Sequence, residues 1–169
     1  DMELRARTNG RRLEYNIHAG LPSVAADRVS IYEVLINLLD NAIKYSGRSP
    51  RIIISARLNK EGLVETTIQD FGVGIATSVM PHLFEKFYRS HRSRGWAGGS
   101  GLGLYLCRAI VEAHGGRIWV QSKEDQGSVF GFTLQAYKDI AGKGQSGDNK
   151  EAITRSAHGW IKNHSLYRR

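Results

Sequence analysis

Apolar positions around residues 34–46 recur with a helical period. At about 100° per residue, Ile31, Leu35, Leu38, Leu39 and Ala42 gather on one side, and Glu33, Asn37, Asn41 and Lys44 line another. This predicts a helix with a core face and a chemical face, capped by Asp27, running to about Ser46 and stopped by Gly47 and Pro50. Asparagine competes for backbone hydrogen bonds, so two of them one turn apart in a leucine-rich segment are locally unfavourable. Something off the helix accounts for them.

Around this helix the pattern alternates between periods. Residues 1–9 read as the last turns of a preceding helix, ended by Asn9 and Gly10. Leu13, Tyr15 and Ile17 alternate with polar residues and predict a half-buried strand. Residues 51–58 and 63–69 predict an antiparallel hairpin turned by residues 59–62. Residues 81–89 read as a short amphipathic helix with Leu83, Phe84 and Phe87 inward, and residues 90–100, glycine-rich and basic, as a mobile surface loop. Helical spacing resumes over 101–113 through Leu102, Leu106, Ala109, Ile110 and Ala113. Strands at 117–122 and 129–135 flank a turn at Asp125, Gln126 and Gly127. The short links imply antiparallel neighbours, hence an α+β domain with helices stacked on one face of a sheet. The expected division is residues 1–11 as the end of a preceding helix or linker, 12–137 as the domain, and 138–169 as a basic, weakly structured tail.

Composition adds boundaries to this picture. A chain of 169 residues with 41% apolar and 24% charged residues is long enough for one domain with a real core. The single cysteine, Cys107, forms no internal disulfide and points to a reducing, cytoplasmic setting with a buried thiol. No run approaches the about 20 apolar residues of a membrane span. Of the net charge of +8, the stretch from Lys138 onward supplies seven Lys and Arg against three Asp and Glu. With no basic stripe interleaved with aromatics, solvated surface charge is favoured over nucleic-acid binding.

Three stretches carry chemistry. Gly99, Ser100, Gly101, Leu102, Gly103 and Leu104 open a helix whose free N–H groups suit a phosphate, although a glycine-rich loop is the plainer alternative. Asp70, with Gly72 and Gly74, is either a simple turn or a carboxylate placed to accept from an exocyclic amine such as that of adenine. Asn37, Asn41 and Lys44 are either a wet helix face or an amide ligand for Mg²⁺ beside a phosphate-neutralising lysine, and the asparagines favour the second. Arg89, Arg92 and Arg94 are solubilising charges or close over a phosphate. The six histidines show no zinc spacing.

The order of these stretches is more specific than any one of them. The run from Asn37 to Ser46 (NLLDNAIKYS), then DFGVGI from Asp70, LFEKFYR from Leu83 and GSGLGL from Gly99 resemble the N, G1, F and G2 boxes of sensor histidine kinases. The likeness covers roughly residues 12–136. It implies the ATP-binding catalytic domain of the Bergerat type: a two-layer α/β sandwich with a mixed, mostly antiparallel sheet of about five strands, about three helices on one face, and a mobile ATP lid. By position, Asn41 resembles the Mg²⁺ ligand, and Asn37 and Lys44 match phosphate-contacting positions. Tyr45 resembles the residue near adenine, and Asp70 the carboxylate on its amino group. Gly72, Gly74 and Ile75 shape the base pocket. Tyr88 and Arg89 follow the F box, Arg89 reaching toward phosphate. Ser100, Gly101, Leu102, Gly103 and Leu104 match the lid hinge and the helix start that meets the triphosphate.

The resemblance implies ATP and Mg²⁺ as cofactors and transfer of the γ-phosphoryl to a histidine on a dimerisation domain outside this sequence, with Asn37, Lys44 and Arg89 assisting. Implied partners are that histidine phosphotransfer domain, through which the protein dimerises, and a response-regulator receiver domain. No histidine here has the acceptor's setting, and Glu33 stands where the family often has Gln. An ATP-hydrolysing relative would carry a Glu at the position of Asn37 to activate water, so the kinase reading is preferred. A catalytically silent ATP-binding module is the alternative.

Overall fold

A computed structural model describes residues 2–88 and 101–137. Its elements are helix α1 (Met2–Thr8), strand β1 (Arg12–Ile17), helix α2 (Arg28–Tyr45), strands β2 (Arg51–Leu58) and β3 (Val64–Asp70), helix α3 (Gly103–Ala113), and strands β4 (Ile118–Lys123) and β5 (Gly127–Leu134). The sheet has the order β1-β2-β3-β5-β4. Only β1 and β2 run parallel, as the α2 crossover between them requires. The other pairings are antiparallel. The result is the expected two-layer α/β sandwich, with a mixed five-stranded sheet and three helices.

Helix α2 starts where Asp27 accepts a hydrogen bond from the Ser30 N–H at 2.7 Å. Its apolar stripe buries Val34, Leu38, Leu39, Ala42 and Ile43 against Ile52 and Ile54 of β2, Ile68 of β3, and Phe130 and Phe132 of β5. Helix α3 lies antiparallel to α2, pinned in register at three levels. Gly103 faces Asn37. The Cys107 thiol sits 3.8 Å from the Val34 carbonyl. The His114 Nε2 accepts from the Asp27 N–H at 3.0 Å. Burial pushes the Cys107 thiol up to about 12, so it is a packing group and not a nucleophile.

Three local expectations are corrected. Among the described residues of the expected 81–89 helix, 81–88 form no amphipathic helix: a three-residue 3₁₀ turn, Met80–His82, is followed by hydrogen bonds from Glu85 N–H to the His82 carbonyl and from Tyr88 N–H to the Glu85 carbonyl. The chain bends at Phe87, whose φ is 63°, and the Phe87 side chain is exposed, not inward. Its N–H instead meets the Gly101 carbonyl at 3.1 Å, a long-range bond that overrides the local period. On β1, Leu13, Tyr15 and Ile17 do register with Ile52, Ile54 and Ala56. However, β1 is an edge strand beneath only the short α1, so Tyr15 and Ile17 stay exposed. On α3 the buried stripe is Cys107, Ile110 and Val111, and Ala113 is exposed.

Removing the α2 cap by Asp27→Ala is expected to cost about 1 kcal/mol, measured as a lower urea midpoint with an unchanged slope.

Candidate functional site

The site is built where two loops close against α2. At the end of β3 the chain turns so tightly that Gly72 lies on the C-terminal turn of the helix. A Cβ there would run into the Tyr45 carbonyl and come 2.5 Å from the Ser46 Cα. The Val73 N–H then donates to the Tyr45 carbonyl at 3.1 Å, satisfying one of the helix's orphan acceptors. Gly74 takes a φ of 62° and passes against the Lys123 carbonyl, where no side chain fits. Ile75 follows with its N–H donating to Ser122 Oγ at 2.9 Å, and its side chain packs on the core.

Asp70, the last residue of β3, is 4% exposed. Burial raises its pKa above the usual 3.8, because the charged form loses water. The Gly72 N–H, 2.9 Å from Oδ1, and the Ser128 backbone N–H counter that shift by stabilising the carboxylate. A buried carboxylate with so few internal donors has acceptor capacity left for a ligand.

The chemical face of α2 meets the second loop. Asn37 donates from Nδ2 to the Glu33 carbonyl at 3.0 Å, the back-bonding that lets an asparagine sit inside a helix. Its Oδ1 is thereby aimed at Gly103, where a Cβ would lie only 2.9 Å from it. One turn on, Asn41 is partly buried, Lys44 is exposed, and Tyr45 is partly buried at the helix end. Gly101 takes a φ of 71° and is packed on the backbone of Phe87 and Tyr88. Tyr88 is half-buried against the His82 ring, with centroids 5.4 Å apart. Leu102 is the N-cap of α3, and Leu104 packs on the core.

Thus Asn37, Tyr45, Gly72 and Gly103 are brought into contact through α2, with Asp70 two residues from the Gly72 contact. Arg89, Arg92, Arg94 and Ser100 lie outside the described residues, as do the expected lid and tail. Sequence reasoning overlooked Ser122 and Ser128. The signal was a serine following Ile118 and Val120 in the inward alternation of β4, a polar residue on an apolar face.

The chain belongs to the family of histidine kinase-, DNA gyrase B-, and HSP90-like ATPases, which residues 26–138 match. Within that family its relatives are sensory kinases. It is 44% identical over 126 residues to the adaptive-response sensory kinase SasA of Synechocystis sp., covering 75% of this chain and 33% of that protein. Against SasA of Trichormus variabilis the identity is 43% over 137 residues, covering 80% and 34%. The chain therefore spans about a third of the length of these curated relatives. Among solved structures, the catalytic domain of histidine kinase ThkA superposes with a TM-score of 0.67 at 30% identity, covering 79% of this chain and 85% of that one. Full-length ShkA in complex with AMPPNP gives 0.70 at 26% identity, covering 80% and 28%. Together these show an ATP-binding catalytic domain of the histidine kinase type. Among the described residues, no helix is long and apolar enough to cross a membrane.

Two glycine substitutions are expected to separate folding from binding. Gly72→Ala meets rigid backbone and is expected to cost about 1–3 kcal/mol in urea unfolding. Gly103→Ala meets only the end of a side chain, so it is expected to keep the melting temperature and weaken nucleotide binding in calorimetry.

The raised pKa of Asp70 gives a sign for pH dependence. The native state holds this proton more tightly than the unfolded chain, so ionisation subtracts stability as pH rises from 3.8 through the native value. Asp70→Asn has no such ionisation. Its unfolding free energy relative to the parent is expected to climb over that window; a constant difference across pH would remove the assignment.

Proposed function

We propose that this chain binds Mg-ATP between α2, the Asp70 turn and the start of α3, and transfers the γ-phosphoryl to a histidine on a dimerisation domain of the same kinase. The observation that carries this reading is the convergence on α2. The buried, acceptor-rich Asp70 is tied through Gly72 to one end of the helix, and the glycine-led start of α3 abuts the Asn37 amide in its middle. That full-length ShkA, which the chain resembles, is in complex with AMPPNP supports an adenine nucleotide as the ligand.

Asp70 accepts from the adenine amino group, and Gly72, Gly74, Ile75 and Tyr45 form the base pocket. Asn37, Lys44, Arg89 and the N–H groups from Ser100 to Leu104 hold the phosphates; Tyr88 carries the chain into the lid. Helix N-termini and cationic side chains suit that task. The described residues hold no cluster of three His, Cys, Asp or Glu that would cage a cation. A Mg²⁺ ion fits nonetheless, because it is satisfied by one hard amide oxygen, here that of Asn41, with water and phosphate oxygens. It would supply neutralisation of charge on the transferring phosphoryl group.

An amide at Asn37 favours transfer over hydrolysis. Asn37 cannot take a proton from water, so this chain positions the phosphate and leaves activation of the nucleophile to the acceptor's own domain. A receiver domain is then the next acceptor, and dimerisation resides in the histidine-bearing helices. The setting is cytoplasmic, in keeping with the single free thiol.

Asn41→Ala is expected to abolish Mg-ATP binding with the fold retained; wild-type affinity by calorimetry would overturn the Mg²⁺ assignment. Mixing the domain with a cognate histidine-bearing helix pair and labelled ATP is expected to yield acid-labile phosphate. No label above a histidine-free control would favour a silent ATP-binding module.

A further inference from the structure

Across three adjacent strands, one row of side chains on the helix-covered face is polar. Asp70 of β3 registers with Ser128 of β5, and Ser128 with Ser122 of β4. One step further in, the same face is apolar, with Ile68, Phe130 and Val120. A polar row at that depth needs its hydrogen bonds accounted for.

The accounting closes on Ser122. Its hydroxyl has one proton and two lone pairs. The proton goes to the Gly127 carbonyl at 2.8 Å. One lone pair accepts the Ile75 N–H at 2.9 Å. The Ser128 hydroxyl, 2.9 Å away, must then be the donor into the other lone pair, since Ser122 has no second proton. Every site on Ser122 is used, and the direction of each bond is determined. The consequence is twofold. The Asp70 turn is fastened at its far end to the β4–β5 hairpin, a link reinforced by the Asp125 N–H donating to the Val73 carbonyl at 2.9 Å. Meanwhile the Ser128 hydroxyl, its proton committed to Ser122, has only lone pairs left on the Asp70 side, and Ser128 reaches that carboxylate through its backbone N–H alone.

We propose that Ser122 is a positioning residue for base recognition: it holds the 72–75 turn at the distance from α2 that the base pocket requires and keeps the Ser128 hydroxyl from donating to Asp70. It touches no nucleotide itself. The proposal rests on the Mg-ATP reading above and concerns the base, not the phosphates, which are assigned to α2 and the start of α3.

The test compares ATP with inorganic tripolyphosphate, a probe with phosphates and no base, both with Mg²⁺ and by calorimetry. In Ser122→Ala the Kd for ATP is expected to rise about fivefold, the size of one lost hydrogen bond, with the Kd for tripolyphosphate unchanged. Ser122→Thr, which keeps the hydroxyl, is expected to restore ATP binding. If Ser122→Ala fails to fold, Ser122→Cys, with similar shape and a much weaker acceptor, is read in the same way. Equal weakening of both probes would make Ser122 merely structural, and an ATP affinity within twofold of the parent would remove the role altogether. Failure of the parent chain to bind ATP would instead overturn the Mg-ATP reading on which the proposal stands.

Discussion

The arrangement depends on how closely backbone can approach helix α2. At two points, the C-terminal turn and the middle, the neighbouring chain lies so near that a methyl group could be added only by displacing something: the backbone of Tyr45 and Ser46 at Gly72, and the Asn37 amide at Gly103. The two constraints differ in kind. The first is backbone against backbone and sets where the Asp70 turn sits. The second is backbone against the end of a side chain and sets where the amide points. One helix therefore carries both the core stripe that holds the sheet and the reference frame for the pocket, and errors in its placement reach both.

Burial at Asp70 works against the fold and for the site. A carboxylate taken out of water is a net burden on the native state, only partly offset by the N–H groups of Gly72 and Ser128. Exposed pairs elsewhere, such as Arg108 with Glu112, are ordinary surface contacts of small worth. Glu14 is drawn down to about 2 by its hydrogen bonds to Arg51 and Arg12, a partly exposed ion-pair cluster on β1 and β2. The charged group that matters is thus the one whose environment disfavours its charge, a common signature of a binding position.

Much of this was legible in the sequence wherever a period of 3.6 or 2 ran uninterrupted. The core side of α2 followed largely from spacing, which neighbouring turns decide: Leu38, Leu39 and Ala42 are buried as expected, while Val34 and Ile43 join them and Ile31 and Leu35 stay partly buried. The Asp27 cap and the β2–β3 hairpin followed from local chemistry. What escaped was long-range. Residues 81–89 have a helical pattern, but the bond from Phe87 to Gly101 draws the chain out of it. The face of α3 was read through Ala113, whereas contact with Val34 selects Cys107, Ile110 and Val111. Ser122 and Ser128 gain their meaning from strand register, which no short window of sequence contains.

The three-level register between α2 and α3 gives the lone cysteine an unexpected use. Cys107 sits at the middle level, fully buried, its thiol resting on a main-chain carbonyl of the opposing helix. It stays out of reach of a modifying reagent for as long as the two helices remain together. Its rate of modification consequently gauges how often the helix pair parts, in the way that amide exchange gauges the opening of a hydrogen bond. Because the same pair frames the pocket, a molecule that bridges the two helices would slow that rate, and the protein carries its own reporter of occupancy without any added label.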